Sequence, residues 1–240
     1  MLKHNTKKTF LIMTVNMAFY LAFLIMTLYA ALVSKEGRAI LFAVFGFLAF
    51  LLGVYREYVR LKQGEARWYL DEKLDADEAK KRYDELMEKD ILKVYEDERP
   101  LWEAMVANEK KQAKKVLNLI DMHPKQFSSN NEMKLWRYYY EARAGLFLGR
   151  TKRVADACEG YQNMKRKSDR IQEAEMEGMK ELVYDHRDSA YECFLKVKRE
   201  KLTSREKKFV LENLIKLAPL KEKEPYEREL QELMEKVRES

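Results

Sequence analysis

The residues best equipped for chemistry are spread thinly along this 240-residue chain. His4, His123 and His186 have no second ligand one helical turn away and form no His-Glu-x-x-His, so their spacing assembles no metal site. The eight glycines never fall into the spacing of a phosphate-cradling loop, which argues against a nucleotide-driven activity. Cys158 and Cys193 read as small packing residues in reduced form, not as nucleophiles or a disulfide. Asp185-His186-Arg187-Asp188 has the residue types of an acid–base set but lies where a turn between helices belongs, and charged turn residues are normally solvated. The expectation is a non-enzyme with no cofactor, no metal and no small-molecule substrate.

One constellation stands above that background: Leu135-Trp136-Arg137-Tyr138-Tyr139-Tyr140-Glu141-Ala142-Arg143. Its aromatics cannot share one helix face. At roughly 100° per residue, Leu135, Tyr139, Ala142 and Leu146 form one stripe, and Trp136, Tyr140 and Arg143 form a second. Two methionines, Met176 and Met179, hold that second sector in a later helix.

The elements that must position these residues begin with two apolar runs, Thr9–Val33 without a charge over 25 residues and Ala39–Tyr55 over 17. At 1.5 Å rise per residue both are long enough to cross a hydrocarbon core as helices, joined by the polar turn at 34–38. A cleaved signal peptide would need a shorter apolar region and no second span. Lys3, Lys7 and Lys8 precede the first span and Arg56, Arg60, Lys62 and Arg67 follow the second, against Lys35 and Arg38 between them. The expected location is the cell membrane, with two spans and both termini cytoplasmic. Ala18 with Ala22, and Ala49 with Gly53, offer small residues for packing the spans, and Asn16 would seek a hydrogen-bond partner across them.

The formal net charge of +6 is mostly carried by the anchor, and the residues after 55 retain only +2. So even a balance is not the footprint of a nucleic-acid binder, and no nucleic acid is expected. The rest reads as one all-α domain with little Gly or Pro punctuation. The second span continues as helix to about Lys73. Further helices are expected at 75–95, 101–107, 110–121, 131–148, 152–165, 171–184, 188–199, 203–217 and 225–237. Pro100 would end or kink the first of these, Thr203 with Glu206 makes a capping box, and Pro225 would open the last.

Within these helices a small or apolar residue recurs four positions before a bulky or apolar one: Ala79 and Tyr83, Ala113 and Leu117, Val154 and Cys158, Ala190 and Phe194, at intervals of 34, 41 and 36. Ala142 and Gly178 supply the small residue twelve positions earlier in two units, and Pro124 follows Ala113 by eleven. This resembles the tetratricopeptide repeat. Leu101 and Arg67 replace the small residue in the other two units, and the long interval requires an insertion of about seven residues near Ser128.

The resemblance implies an α-solenoid over 56–200, following an N-terminal tail at 1–8 and the transmembrane hairpin at 9–55, with capping helices in 201–240. Tyr226, Leu230, Leu233 and Val237 would be laid on the last repeat. It also implies that Trp136, Tyr140, Arg143, Met176 and Met179 line a concave groove for a protein or peptide partner; the alternative is that neighbouring helices cover this flank as core. The expected function is a membrane-anchored adaptor or scaffold whose partners are that protein and the lipid bilayer. The alternative is an accessory subunit of a transport, secretion or envelope-assembly complex, in which the hairpin makes the specific contact.

Overall fold

The computed structural model describes residues 6–34, 37–164 and 169–239; the expectations placed on Lys3, His4, Lys35 and the helix end at Lys165 lie outside them. Among the described residues there is no strand. The chain divides into two compact units, one made of the residues up to Arg67 with Arg82–Val94, the other of Trp68–Lys81 with Tyr95 onward.

In the first unit α1 (Thr6–Ser34) and the N-terminal part of α2 (Gly37–Asp71) form an antiparallel hairpin. Both helices are long and apolar enough to cross a membrane. Close approach is made where a side chain of α1 meets a glycine of α2: a Cβ on Gly46 would lie 2.3 Å from Thr27 Oγ1, and one on Gly53 would lie 2.8 Å from the Tyr20 ring. Asn16 Nδ2 donates to Glu57 Oε1 at 2.7 Å, so this polar residue of the first run does find a partner across the interface. Ala18, Ala22 and Ala49 face outward instead of packing the spans, because the contact stripe on α2 runs through Ala43, Gly46, Gly53 and Glu57. Gly53 alone of the four expected small residues serves that role.

After α3 (Ala76–Lys89), the chain continues as α4 (Arg99–Glu109), α5 (Ala113–Met122), α6 (Asn131–Phe147), α7 (Thr151–Gln162), α8 (Arg170–Val183), α9 (Arg187–Lys198), α10 (Ser204–Leu217) and α11 (Lys223–Glu239). Pro100 opens α4 instead of ending its predecessor, since its missing N–H costs nothing in the first turn. The Thr203–Glu206 capping box is formed. Pro225 is the third residue of α11, not its first.

A left-handed residue stands two positions before each of α3, α5, α7 and α9: Leu74, Lys111, Gly149 and Asp185, with φ of 54°, 56°, 66° and 58°. After Lys111, Gly149 and Asp185, the next amide donates to a carbonyl five residues back, Gln112 to Ala107, Arg150 to Gly145 and His186 to Glu181. This is the helix-ending arrangement that a left-handed residue permits. Asp75 reaches one residue further, to Tyr69.

These turns recur at intervals of 37, 38 and 36, which corrects the repeat register. Five residues after each turn stand Ala79, Val116, Val154 and Ala190, followed four later by Tyr83, Ile120, Cys158 and Phe194, and all eight are buried. Ala113 is therefore three residues out of register, and the supposed insertion near Ser128 disappears. Twelve positions before Val116, Val154 and Ala190 stand Ala104, Ala142 and Gly178, all buried, so Ala104 takes the place of Leu101; the same count before Ala79 still falls on Arg67, next to the buried Ala66. Successive helices pair as α4 with α5, α6 with α7, α8 with α9 and α10 with α11, and α6 packs on both α4 and α8.

Candidate functional site

The aromatic constellation lies on α6, where Asn130 caps the helix by accepting from the Met133 amide at 2.9 Å. Tyr140, Met176 and Met179 are fully buried and Trp136 is partly so, with its ring stacked on Tyr140 at 5.8 Å between centroids. The open aromatic and methionine flank expected from the sequence does not form. At Tyr140 the physical reason is α10, which lies against α9 and reaches back over residues of α2, α4 and α6, whereas Met176 and Met179 lie on α8, which packs against α6, α7 and α9. Arg205 of α10 donates to the Tyr140 hydroxyl at 3.1 Å and pairs with Asp71 at 2.9 Å, and Phe209 packs edge-on against Phe194 at 6.0 Å.

Beneath α10 runs a buried polar chain. Arg143 Nη1 donates to the Tyr139 hydroxyl at 3.0 Å, and that hydroxyl donates to Glu175 Oε2 at 2.5 Å. Burial pushes the Glu175 carboxyl up to about 7, against the opposing pull of Arg143 and Tyr139, and the same burial holds the Tyr139 phenol well above its ordinary value. These groups tie α6 to α8. Sequence reasoning missed Glu175 because a lone glutamate in a charged helix carries no signal of its burial.

Of the five expected site residues, Trp136 and Arg143 are partly exposed, and Arg143 reaches a cleft. It lines a half-open cleft of about 390 Å³ between the α4–α5 turn, the C-terminal end of α6, and α10 and α11. The Arg143 guanidinium lies 3.7 Å from the centre of the Phe209 ring. The acidic residues of the cleft wall are engaged, Glu109 with Lys208 at 3.7 Å and Glu212 with Lys111 at 3.4 Å. Arg143 makes no ion pair within 4 Å among the described residues, and Lys216 adds a further positive charge. Phe147, exposed at the rim, completes a surface with one apolar side and one cationic side. Nothing in the sequence brings α10 to this place; only the fold does.

No family model, curated protein or solved structure matches this chain. No group of three or more His, Cys, Asp or Glu among the described residues is placed to hold a metal ion. The Cys158 thiol donates to the Met176 carbonyl at 3.5 Å and burial pushes it up to about 11, the setting of a packing residue. His186 Nδ1 lies 2.8 Å from Glu181 Oε2 at an exposed turn.

Proposed function

We propose that this chain is a membrane-anchored helical adaptor, its hairpin spanning the membrane with both termini cytoplasmic and its tetratricopeptide-like helix pairs binding a protein or peptide partner. The observation that carries this reading is the cleft at Arg143: a guanidinium that lies over the Phe209 ring and makes no ion pair within 4 Å among the described residues, in a cleft that also holds the exposed ring of Phe147, on a chain whose N-terminal helices suit a bilayer. Cation beside aromatic is the pairing that anchors peptide partners. The recurrent turn and the small-residue positions support the repeat reading, since a helix pair with one apolar face is stable only when stacked on the next. The test is crosslinking and purification from membranes of the full chain against Phe147→Ser and Arg143→Gln variants. Loss of the same copurifying protein from both variants, with unchanged circular dichroism, is the expected result; equal recovery from all three would overturn it.

One observation favours the second reading, in which the hairpin makes the specific contact. Ala18, Ala22 and Ala49 lie outward, where small residues could admit another membrane helix. Replacing the hairpin by an unrelated two-span anchor separates the two, because an adaptor retains its partner and an accessory subunit loses it.

A further inference from the structure

The turn after α3 breaks the usual chemistry of turns. Lys93 N donates to Asp90 O at 3.0 Å, closing a four-residue turn whose two central residues are Ile91 and Leu92, and Lys93 itself is left-handed with φ 52°. Central turn positions ordinarily hold Gly, Asn, Asp or Pro, which tolerate both the backbone conformation and water. Here Ile91 is 85% exposed, Leu92 53% and Val94 37%. Three large apolar side chains at one tip carry no advantage in water.

The position of that tip within the first unit says what meets it. The Tyr55 hydroxyl donates to Asp90 Oδ1 at 2.8 Å, and the Ile91 and Leu92 amides face the Tyr55 hydroxyl oxygen. Tyr55 is the last residue of the second apolar run, so the turn is tied to the level at which that run ends. The hairpin register, Tyr20 against Gly53 and Asn16 against Glu57, sets the same level on α1. There α1 still carries Val15 and Leu11 outward, and α2 carries Tyr58 and Leu61. Glu57 is covered, while the basic residues Arg56, Lys89 and Lys93 are exposed. Exposed apolar residues, an interfacial tyrosine and basic residues at one level are the composition of a membrane–water boundary.

We infer that the turn at Asp90–Val94 is a third membrane contact, dipping Ile91, Leu92 and Val94 into the lipid headgroup region beside the hairpin. The inference rests on the hairpin being a membrane anchor.

The experiment places single nitroxide labels on the full chain in vesicles of phosphatidylcholine and phosphatidylglycerol, in a Cys158→Ala, Cys193→Ala background. Labels go at Ile91→Cys and Leu92→Cys on the turn, at Phe45→Cys in the hairpin, and at Asn118→Cys on the exposed side of α5. Relaxation by oxygen and by a water-soluble nickel chelate reads the depth. The turn labels are expected about 5–10 Å below the headgroup plane, with Phe45 deeper and Asn118 in water. Turn labels that match Asn118 while Phe45 is in lipid would overturn the inference and leave the anchor standing. A Phe45 label in water would remove the anchor itself. Tyr55→Phe supplies the second arm: it should leave Phe45 unmoved while the turn labels become shallower, and unaltered turn labels would overturn the role given to the Tyr55–Asp90 tie.

Discussion

Arg205, the second residue of α10, pairs with Asp71, the last residue of α2, at 2.9 Å with both side chains almost completely buried. Ser204 reinforces the same junction, its amide and hydroxyl donating to Glu72 at 3.4 and 3.1 Å. These contacts join residues more than 130 apart in sequence within one unit, so α10 holds the end of α2 as well as its own neighbours. A buried pair of this kind is costly to break from one side, because the surviving charge stays buried without its partner.

Arg205→Ala should therefore destabilise the fold by about 3–5 kcal/mol. The double change Arg205→Met with Asp71→Leu should cost much less, since both charges leave together. Urea unfolding of the full chain in detergent, followed at 222 nm, measures both. A double variant as unstable as the single one would mean that α10 is held by something other than this pair.

Glu175 makes stability depend on pH in a calculable direction. Its folded carboxyl titrates near 7, above the ordinary value of 4.5, so the folded chain binds the proton more tightly than the unfolded one. The contribution is fully present below pH 4.5 and is lost as pH rises through 7. Arg143, the hydrogen bond from the neutral Tyr139 hydroxyl, and Arg205 oppose the rise, and Glu206 adds to it. The full effect is at most about 3 kcal/mol. Glu175→Gln keeps an oxygen to accept from Tyr139 and removes the titration. Its stability should exceed the parent's at pH 8, and the fall between pH 5 and 7 should flatten; an unchanged slope would exclude Glu175 as its source.

The left-handed turn residues offer a local test of the repeat. A non-glycine residue there costs roughly 1–2 kcal/mol, and glycine costs less. Asp185→Gly should stabilise the protein by up to about 1 kcal/mol, and Gly149→Ala should destabilise it by about as much. Thermal melts of the two variants should move in opposite directions. Movement in the same direction would mean that the two turns do not share a conformation.

How much of this was legible in the sequence varies with the range of the interaction. The hairpin was legible because length and the absence of charge are local properties, and the Asn16 hydrogen bond was legible because an amide in an apolar run needs a partner. That the chain alternates short paired helices was legible, but the positions that recur along it were not. Ala113 and Val116 are both small enough and one helical turn apart, and only the backbone conformation at Lys111 decides between them. Whether the flank of Tyr140, Met176 and Met179 is an open groove or covered core was left open by the sequence. At Tyr140 the answer depends on α10 folding back over α6, which nothing in residues 131–179 encodes. Leu74 and Lys111 also adopt a conformation that sequence rules assign to glycine, which hid two of the four turns, whereas the turn at Asp185 was legible from its run of charged residues.

Trp136 is where these two levels of reading meet. Its ring is stacked on Tyr140 at 5.8 Å and meets Tyr139 edge-on at the same distance, yet part of it remains exposed. A fully buried tryptophan would cost about 3–5 kcal/mol on truncation and a surface residue about 0.5 kcal/mol. Aromatic pairs of this geometry contribute about 0.5–1.5 kcal/mol beyond their buried area, so Trp136→Ala should fall between the two limits, at about 2 kcal/mol. The loss should come through Tyr139 and Tyr140, whose hydroxyls hold Glu175 and Arg205 in place. Trp136→Phe, which keeps a ring on Tyr140, should recover most of it. Urea unfolding of the two variants at pH 7 decides the matter: a loss under about 0.5 kcal/mol for Trp136→Ala would place the ring outside the network, as an ordinary surface residue.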